Sequence, residues 1–246
     1  MNVGLILIGD ELLSGLRQDK HMAQVQQMLN QRGLRLGWVR MVGDDWDLLL
    51  QTFRETMQTT DIVFSFGGIG ATPDDLTRQA AAVAANVALT RHPGAVELIE
   101  QRFGKEAYPN RIRMAELPEG ASLLPNPVNQ IPGFKLHYHH FVPGFPNMAW
   151  PMVAWALDTY YENEFDPTPI LETRWKLSNV PESELIPMME ELLQTFPEIR
   201  LSSLPSTTDR LNIDFGLKGK AHVLEPAIEW FEARMHADHR EIQRKK

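Results

Sequence analysis

Apolar and polar positions alternate in a regular order through the first part of the chain. Val3–Ile8 is a run without polar side chains that ends at a glycine, which is typical of a strand buried on both faces of a parallel sheet. Apolar residues at helical spacing predict a helix over 20–32, and Gly33 supplies its stop. The pattern continues with strand 34–41, helix 46–59 and strand 61–66.

This β-α-β-α-β order predicts how the chain winds. Right-handed crossovers between parallel strands give a doubly wound sheet with helices on both faces, so we expect a three-layer α/β fold. Ligands of such sheets bind beyond the carboxyl ends of the strands. The segments that follow the first and third predicted strands, 9–11 and 67–70, are therefore expected at the ligand-binding edge.

The rest of the chain predicts two domains. Three prolines and one asparagine break up 117–128, where strand and loop are expected, and the prolines of 166–169 indicate a linker. Beyond it a β-α-β-β-α pattern predicts a small α+β domain over 170–246, after an α/β domain over 1–165. Within the first domain, helices are also expected at 77–88, 93–103 and 147–161, with a short strand at 141–142.

Charge and composition exclude several classes of protein. The 246 residues carry 24 Lys and Arg against 32 Asp and Glu, a net charge of −8. Nucleic acids are bound through clustered basic residues, so no nucleic-acid partner is expected, and the basic segment 240–246 is expected to be a solvated tail. Because the chain has no cysteine, disulfides and thiolate metal sites are excluded and a reducing compartment is favoured.

No targeting or membrane signal is found in the sequence. The apolar start lacks the basic region and length of a signal peptide, and no segment approaches the ~20 apolar residues that a bilayer-spanning helix needs. We therefore expect a cytoplasmic protein without a membrane partner.

A glycine-rich turn follows the third predicted strand. Gly67, Gly68 and Gly70 let the backbone approach a ligand closely and aim its N–H groups at it. Together with the start of the next helix, this arrangement favours an anion such as phosphate. Asp74 and Asp75 would repel that phosphate unless a cation lay between them, so they are candidate ligands of Mg²⁺ or a similar ion.

A structural interpretation of the same turn is equally open. Asp74 or Asp75 could cap the helix that starts near Leu76, with Thr77 in its first turn. Short glycine patterns are weak evidence for a ligand, so the residues alone leave a ligand loop and a structural turn as alternatives.

Four segments resemble one known family. Residues 67–77 (GGIGATPDDLT) are similar to the signature of the molybdopterin-binding domain found at the front of competence/damage-inducible protein A. Segments 8–15, 117–126 and 142–146, the last with Met152, agree with that family in order and spacing. The resemblance spans about residues 1–160 and continues more weakly into the small domain; the family's deamidase module is not found, so deamidation is not expected.

The resemblance implies a domain that binds a phosphorylated nucleotide or a molybdopterin-like pterin. Some members cleave the pyrophosphate of dinucleotides such as ADP-ribose with a divalent cation, so the chain is a candidate hydrolase using Mg²⁺, Mn²⁺ or Co²⁺. The alternative is a non-catalytic binder linked to molybdenum-cofactor metabolism. Asp75 and Asp74 would be the catalytic, metal-linked carboxylates. The ligand-binding residues implied are Gly67, Gly68, Gly70, Thr72, Thr77, Asp10, Glu11, Asp44, Pro143 and Gly144.

Two segments depart from the family pattern. The chain has Asp19-Lys20-His21 where the family usually shows Asn-x-Asn, and Asn129-Gln130 where it usually shows Gly-Thr. These changes leave the identity of the substrate open, and binding without catalysis remains an alternative.

Two groups of aromatic residues have structural interpretations. In segment 137–140 (HYHH) adjacent residues of a strand would face opposite ways and a third metal ligand is not evident, so a hairpin or strand edge is favoured over a metal site.

Aromatic residues in the last predicted helix of the first domain favour core or a subunit interface. These residues are Trp150, Trp155, Tyr160 and Tyr161. Together with the self-association that the resemblance implies, they predict a homo-oligomer.

Overall fold

A computed structural model of the chain describes residues 2–166 and 168–245. Met1, Pro167 of the expected linker and Lys246 of the expected tail lie outside the described residues. The chain forms two compact units, one ending at Phe165 and the other beginning at Asp166.

The first unit contains eight strands and six α-helices among the described residues. The strands are β1 (Val3–Ile8), β2 (Leu36–Val42), β3 (Ile62–Phe66), β4 (Leu89–Arg91), β5 (Glu116–Pro118), β6 (Ser122–Leu124), β7 (Gly133–Leu136) and β8 (His139–Val142). The helices are α1 (Asp10–Leu13), α2 (His21–Gln31), α3 (Trp46–Thr56), α4 (Thr77–Ala84), α5 (Pro93–Phe103) and α6 (Pro146–Tyr160).

Six of these strands form the main sheet, in the order β2-β1-β3-β8-β7-β6. The first four are parallel, and β7 and β6 are added antiparallel. From β1 the chain passes to β2 on one side and then returns to β3 on the other. The carboxyl ends of β1 and β3 are therefore a topological switch point, where doubly wound sheets bind ligands.

Helices cover both faces of this sheet, and β1 is therefore buried along its whole length. Leu5 and Leu7 belong to a core shared with α2 and α6, whereas Ile6 and Ile8 belong to a core shared with α3, α4 and α5. The three-layer, doubly wound α/β fold predicted from the sequence is confirmed.

The second unit is a small α+β fold. Its elements are β9 (Ile170–Leu177), α7 (Glu182–Thr195), β10 (Arg200–Pro205), β11 (Ile213–Lys220), α8 (Ala221–Ala237) and β12 (Ile242–Arg244). They form an antiparallel sheet in the order β10-β11-β9-β12, a β-α-β-β-α-β arrangement. Trp175, Phe215 and Phe231 lie at the centre of its core.

The basic segment keeps most of its side chains exposed, as predicted, but it is not a free tail. Residues 242–244 pair with β9 as strand β12, and Ile242 packs against the core of the second unit. The ammonium of Lys245 lies 2.9 Å from a carboxylate oxygen of Asp214. Strand pairing, one apolar residue and the ion pairs of Arg240 and Lys245 thus attach a segment whose composition indicated only solvation.

Segment 137–140 forms the hairpin that the sequence favoured, with its first two residues in the turn between the antiparallel strands β7 and β8; its last two residues lie in the sheet interior and not at an edge. His139 and His140 are buried in β8 between β3 and β7. The ring of His140 bonds the Val63 carbonyl through Nδ1 and the Tyr161 hydroxyl through Nε2, both at 3.2 Å. Burial lowers the pKa of each histidine to about 3, so both are neutral core residues.

None of the helices in the described part of the chain combines the length and apolar character needed to cross a membrane.

Candidate functional site

Two turns meet at the carboxyl ends of β1 and β3. The N–H of Gly9 donates to the Val42 carbonyl and that of Gly67 to the Val142 carbonyl, each at 3.0 Å, so each turn is tied to a neighbouring strand. A Cβ atom on Gly67 would lie 2.6 Å from the carbonyl oxygen of Ile8. Glycine therefore allows the two turns to approach this closely.

The glycine turn, residues 67–70, is held from behind by Thr77. The Thr77 hydroxyl donates to the Gly67 carbonyl and its N–H donates to the Gly68 carbonyl, both at 3.1 Å. Gly68 has φ +68°, and a Cβ there would collide with the Thr77 hydroxyl. Because Thr77 is fully buried, its side chain fixes the shape of the turn at the start of α4.

Asp75 closes the loop that links the glycine turn to α4. Its carboxylate accepts from the Thr72 N–H at 2.9 Å and from the Thr72 hydroxyl at 2.6 Å, while its own N–H donates to the Thr72 carbonyl at 3.1 Å. Leu76 occupies the N-cap position of α4, where no side-chain capping hydrogen bond forms. The alternative in which Asp74 or Asp75 caps this helix is therefore wrong. The side chain of Asp74 is exposed.

Arg78 anchors the same loop, a role that was not predicted from the sequence. It is 2% exposed, and its guanidinium donates to the carbonyls of Gly70 at 2.7 Å, Glu116 at 3.1 Å and Arg113. Burial lowers the pKa of Arg78, against the raising effect of the Asp75 charge. An arginine at the start of an alanine-rich helix carries no sequence signal that distinguishes it from a solvated residue.

Acidic side chains gather beside the glycine turn. The N–H of Asp10 donates to the Asp44 carboxylate and that of Asp44 to the Asp10 carboxylate, each at 3.1 Å. Burial raises the pKa of Asp44; the Asp10 backbone bond opposes this, and the charges of Asp10, Glu11 and Asp74 raise it further. The turn after β1, the end of β2 and the glycine loop therefore supply one negative region.

Three cavities surround the glycine turn. The first, of about 280 Å³, is lined by Ile8, Gly9, Glu11, Arg17, Asp44, Gly67, Gly68, Thr72, Asp74, Asp75, Gly144 and Phe145. The second, of about 480 Å³, shares five of these residues and is also lined by Leu12, Gln18, Asp19, Lys20, His21, Phe66 and Pro146. The third, of about 140 Å³, is lined by residues that include Gly70, Asp75, Asn126, Asn129 and Pro143.

The structure thus brings most of the predicted residues together. The first and third cavities include every predicted ligand residue except Asp10 and Thr77, which bond to cavity-lining residues. The second cavity was not predicted. Its wall contains Asp19, Lys20 and His21, so one departure from the family pattern lies beside the candidate site, and Asn129 of the other departure lines the third cavity.

The acidic residues in the described part of the chain do not form a metal centre by themselves. Among residues 2–166 and 168–245, no group of three or more His, Asp or Glu side chains is placed to hold a metal ion, and one oxygen of Asp75 is engaged by Thr72. Mg²⁺ is usually bound by one or two carboxylates together with phosphate oxygens. These residues fit a cation that arrives with a phosphorylated ligand and not a site made by the protein alone.

Comparison with known proteins agrees with this architecture. Residues 4–162 match the family described as "Probable molybdopterin binding domain". A protein of Pyrobaculum arsenaticum is 28% identical over 208 residues, covering 82% of this chain and 78% of its own length. A CinA-like protein of Anaeromyxobacter dehalogenans is 29% identical over 239 residues, covering 94% of this chain but 54% of its own length.

A solved structure shares the fold of the first unit. The protein CinA of unknown function from Thermoplasma acidophilum superposes with a TM-score of 0.59 at 26% identity, covering 64% of this chain and 98% of that protein. The resemblance identified in the sequence is confirmed by these matches. From residue 4 to residue 162, this chain belongs to the family of probable molybdopterin-binding domains.

Proposed function

We propose that this chain binds a phosphorylated nucleotide or pterin at the carboxyl ends of β1 and β3, with phosphate against the glycine turn. The family match supports a pterin-type ligand. The first cavity, on the turn itself, is of a size for a phosphate group and part of its substituent.

The hydrogen bonding of the glycine turn carries the proposal. Three of its four carbonyl groups accept hydrogen bonds: those of Gly67 and Gly68 from Thr77 and that of Gly70 from Arg78. Within the described part of the chain, the N–H groups of Gly68, Ile69 and Gly70 donate no hydrogen bond. Three consecutive N–H groups without a partner are donors available to an anion such as phosphate.

We further propose that the bound phosphoanhydride is hydrolysed with a divalent cation. The observation that favours this is the negative region of Glu11, Asp44 and Asp74, which would repel a phosphate on the turn unless a cation lay between them. Asp74 and Asp75 are its proposed ligands. When bound, such a cation would polarise phosphorus and lower the pKa of a water molecule.

A panel of binding and turnover measurements tests both steps. ADP, ADP-ribose and a pterin phosphate are titrated by calorimetry, and ADP-ribose, FAD, NAD and ATP are incubated with Mg²⁺, Mn²⁺ or Co²⁺. We expect binding of a phosphorylated heterocycle and metal-dependent release of AMP. Asp75→Asn should abolish turnover while binding changes modestly, and Asp47→Asn, an exposed carboxylate on α3, should change neither.

The outcomes separate the alternatives. Binding without turnover would make the chain a non-catalytic binder of the kind linked to molybdenum-cofactor metabolism. Turnover that persists in Asp75→Asn would overturn the catalytic assignment of Asp75. Failure to bind any phosphorylated heterocycle would overturn the proposal as a whole.

A further inference from the structure

The sheet of the second unit has its two faces in different surroundings. Side chains of a strand point alternately to one face and the other, and odd-numbered positions of β9 and β11, such as Trp175 and Phe215, pack in the core with α7 and α8. The even-numbered positions of β9, β10 and β11 therefore share the opposite face, which we call the open face. Arg174 and Lys218 are partly exposed there, and Lys176 is exposed.

The open face carries an excess of positive charge. The strand register places Arg200 opposite Lys218 and Lys176 opposite Asp214, and Lys245 joins the face through its ion pair with Asp214. Among the described residues, the face has two carboxylates, those of Glu172 and Asp214, and six cations: Arg174, Lys176, Arg200, Lys218, Lys220 and Lys245. Because the whole chain has a net charge of −8, this face is opposite in sign to the molecule that carries it.

Ion pairs within the open face leave part of this charge uncompensated. One carboxylate serves two cations, since Asp214 lies 2.9 Å from Nε of Arg174 and 2.9 Å from the ammonium of Lys245. Within residues 2–166 and 168–245, Lys176 and Arg200 form no ion pair. Their charges are therefore available to an anion from outside the chain.

One pair of cations on the open face is unfavourable in the isolated chain. Arg200 lies directly opposite Lys218, and like charges in this position destabilise a sheet. The carboxylate of Glu172 is 3.9 Å from the Lys218 ammonium, a distance at which an exposed pair contributes little. An anionic partner would relieve this repulsion when it binds.

The chemistry of the open face favours an acidic protein segment over a nucleic acid. Proteins that bind single-stranded nucleic acids stack the bases on aromatic side chains, and the even-numbered positions of β9, β10 and β11 hold no aromatic residue. Cations at alternate positions of a strand, such as Arg174 and Lys176, are about 6.8 Å apart. Carboxylates at alternate positions of an extended peptide have the same spacing, so the two sets of charges match.

An apolar contact lies at one end of the open face. Leu204 is 57% exposed, and it lines a cavity of about 380 Å³ together with residues that include Lys176, Ile213 and Lys245. Two lysines beside an exposed leucine suit a partner that combines carboxylates with one apolar side chain.

We propose that the open face of the second unit binds an extended acidic segment of a partner protein. Carboxylates of the segment lie against the cations of β9 and β11, and one apolar side chain lies beside Leu204. This surface consists of residues of the second unit alone and is separate from the glycine turn of the first. It therefore adds a protein partner to the small-molecule ligand proposed above.

A labelled peptide tests the proposal. A fluorescent glutamate-rich peptide with one central leucine is titrated against the full chain by polarisation, at low and at raised salt. We expect binding that weakens as salt is added and that is lost when glutamine replaces the glutamates. Lys176→Gln and Lys218→Gln should each weaken binding about two- to fivefold, as expected for the loss of one exposed ion pair.

Two further variants separate charge from packing and from unspecific effects. Leu204→Ser should weaken binding while its salt dependence stays the same, because no charge is removed. Lys105→Gln, at an exposed lysine of the first unit, should leave the affinity unchanged. Because Lys176, Leu204 and Lys105 are exposed, these variants are expected to fold normally, which a thermal melt verifies.

Three results would overturn the proposal. The first is no binding of the acidic peptide at low salt, or equal binding by the wild type, Lys176→Gln and Lys218→Gln. The second is tighter binding of a single-stranded oligothymidylate that the same substitutions weaken, which would make the open face a nucleic-acid surface. The third is a light-scattering mass that falls in Lys176→Gln or Lys218→Gln, which would show that a second copy of the chain occupies the face.

Discussion

Gly68 is the residue at which backbone conformation and side-chain packing most directly determine the site. We expect Gly68→Ala to destabilise the protein, because φ is +68° and the new methyl group would meet the Thr77 hydroxyl. Gly120→Ala is the matched control, since Gly120 has φ +82° but open space around its Cβ position. Left-handed strain costs about 1–2 kcal/mol in both variants; denaturant unfolding should show a larger loss for Gly68→Ala, and equal losses would contradict the packing described.

The buried histidines predict acid sensitivity. The pKa values of His139 and His140 fall from 6.5 to about 3 in the folded chain, so between these values the unfolded chain binds protons that the native chain does not. Stability should therefore decrease as pH falls below 6.5, with a limiting slope of about 1.4 kcal/mol per pH unit for each histidine.

Urea unfolding at several pH values measures this slope. His139→Gln removes one of the two groups, so its slope should be smaller by about one proton. A wild-type stability that does not change between about pH 7 and pH 5 would show that these histidines are not buried in neutral form.

Residues whose environment is local could be predicted from the sequence, whereas residues whose partners are distant in the chain could not. The glycine turn is recognisable because strand, turn and helix follow one another along the chain. The bonds of Arg78 reach carbonyls of Arg113 and Glu116, 35 and 38 residues away. The contribution of Arg17 to the first cavity likewise depends on how the segment after α1 folds over the sheet edge, which periodicity does not encode.

At the scale of elements, α4 holds the loop that precedes it through Arg78. We expect Arg78→Lys to lower the free energy of unfolding by about 2–4 kcal/mol, because an ammonium cannot span the three carbonyls and buried acceptors lose their donors. Arg54→Lys, on the exposed side of α3, is the control. Chemical denaturation of both variants measures the difference, and a cost below about 0.5 kcal/mol for Arg78→Lys would contradict the anchoring role.

Long elements were predicted well because their periodicity extends over many residues, whereas two of the short strands were not predicted. Strands β4 and β7 have three and four residues, too few to show alternation. The helix expected over 77–88 ends at Ala84, since Asn86 takes a left-handed conformation with φ 57° and the alanine-rich sequence gives no proline or glycine signal. Strand β12 forms through pairing with β9, a partner that its composition does not reveal.

At the scale of the whole molecule, the sequence predicts self-association. Helix α6 buries one side in the core, yet Trp155 and Tyr160 are 37% and 38% exposed, and exposed aromatic residues are enriched at interfaces. We expect light scattering to give a multiple of the 28.1 kDa chain mass, reduced by Trp155→Glu. Trp46→Glu, at a tryptophan of equal exposure on α3, should leave the mass unchanged, and a wild-type mass near 28.1 kDa would contradict the prediction.

Amide NMR of the labelled chain, titrated with ADP and Mg²⁺, can show directly whether the sheet edge at the ends of β1 and β3 holds a phosphorylated heterocycle. We expect the largest shifts at Gly68, Ile69 and Gly70, whose N–H groups are free to bind phosphate, and further shifts over 17–21. Shifts confined to other parts of the chain, or none at saturating ADP and at saturating pterin phosphate, would contradict this expectation.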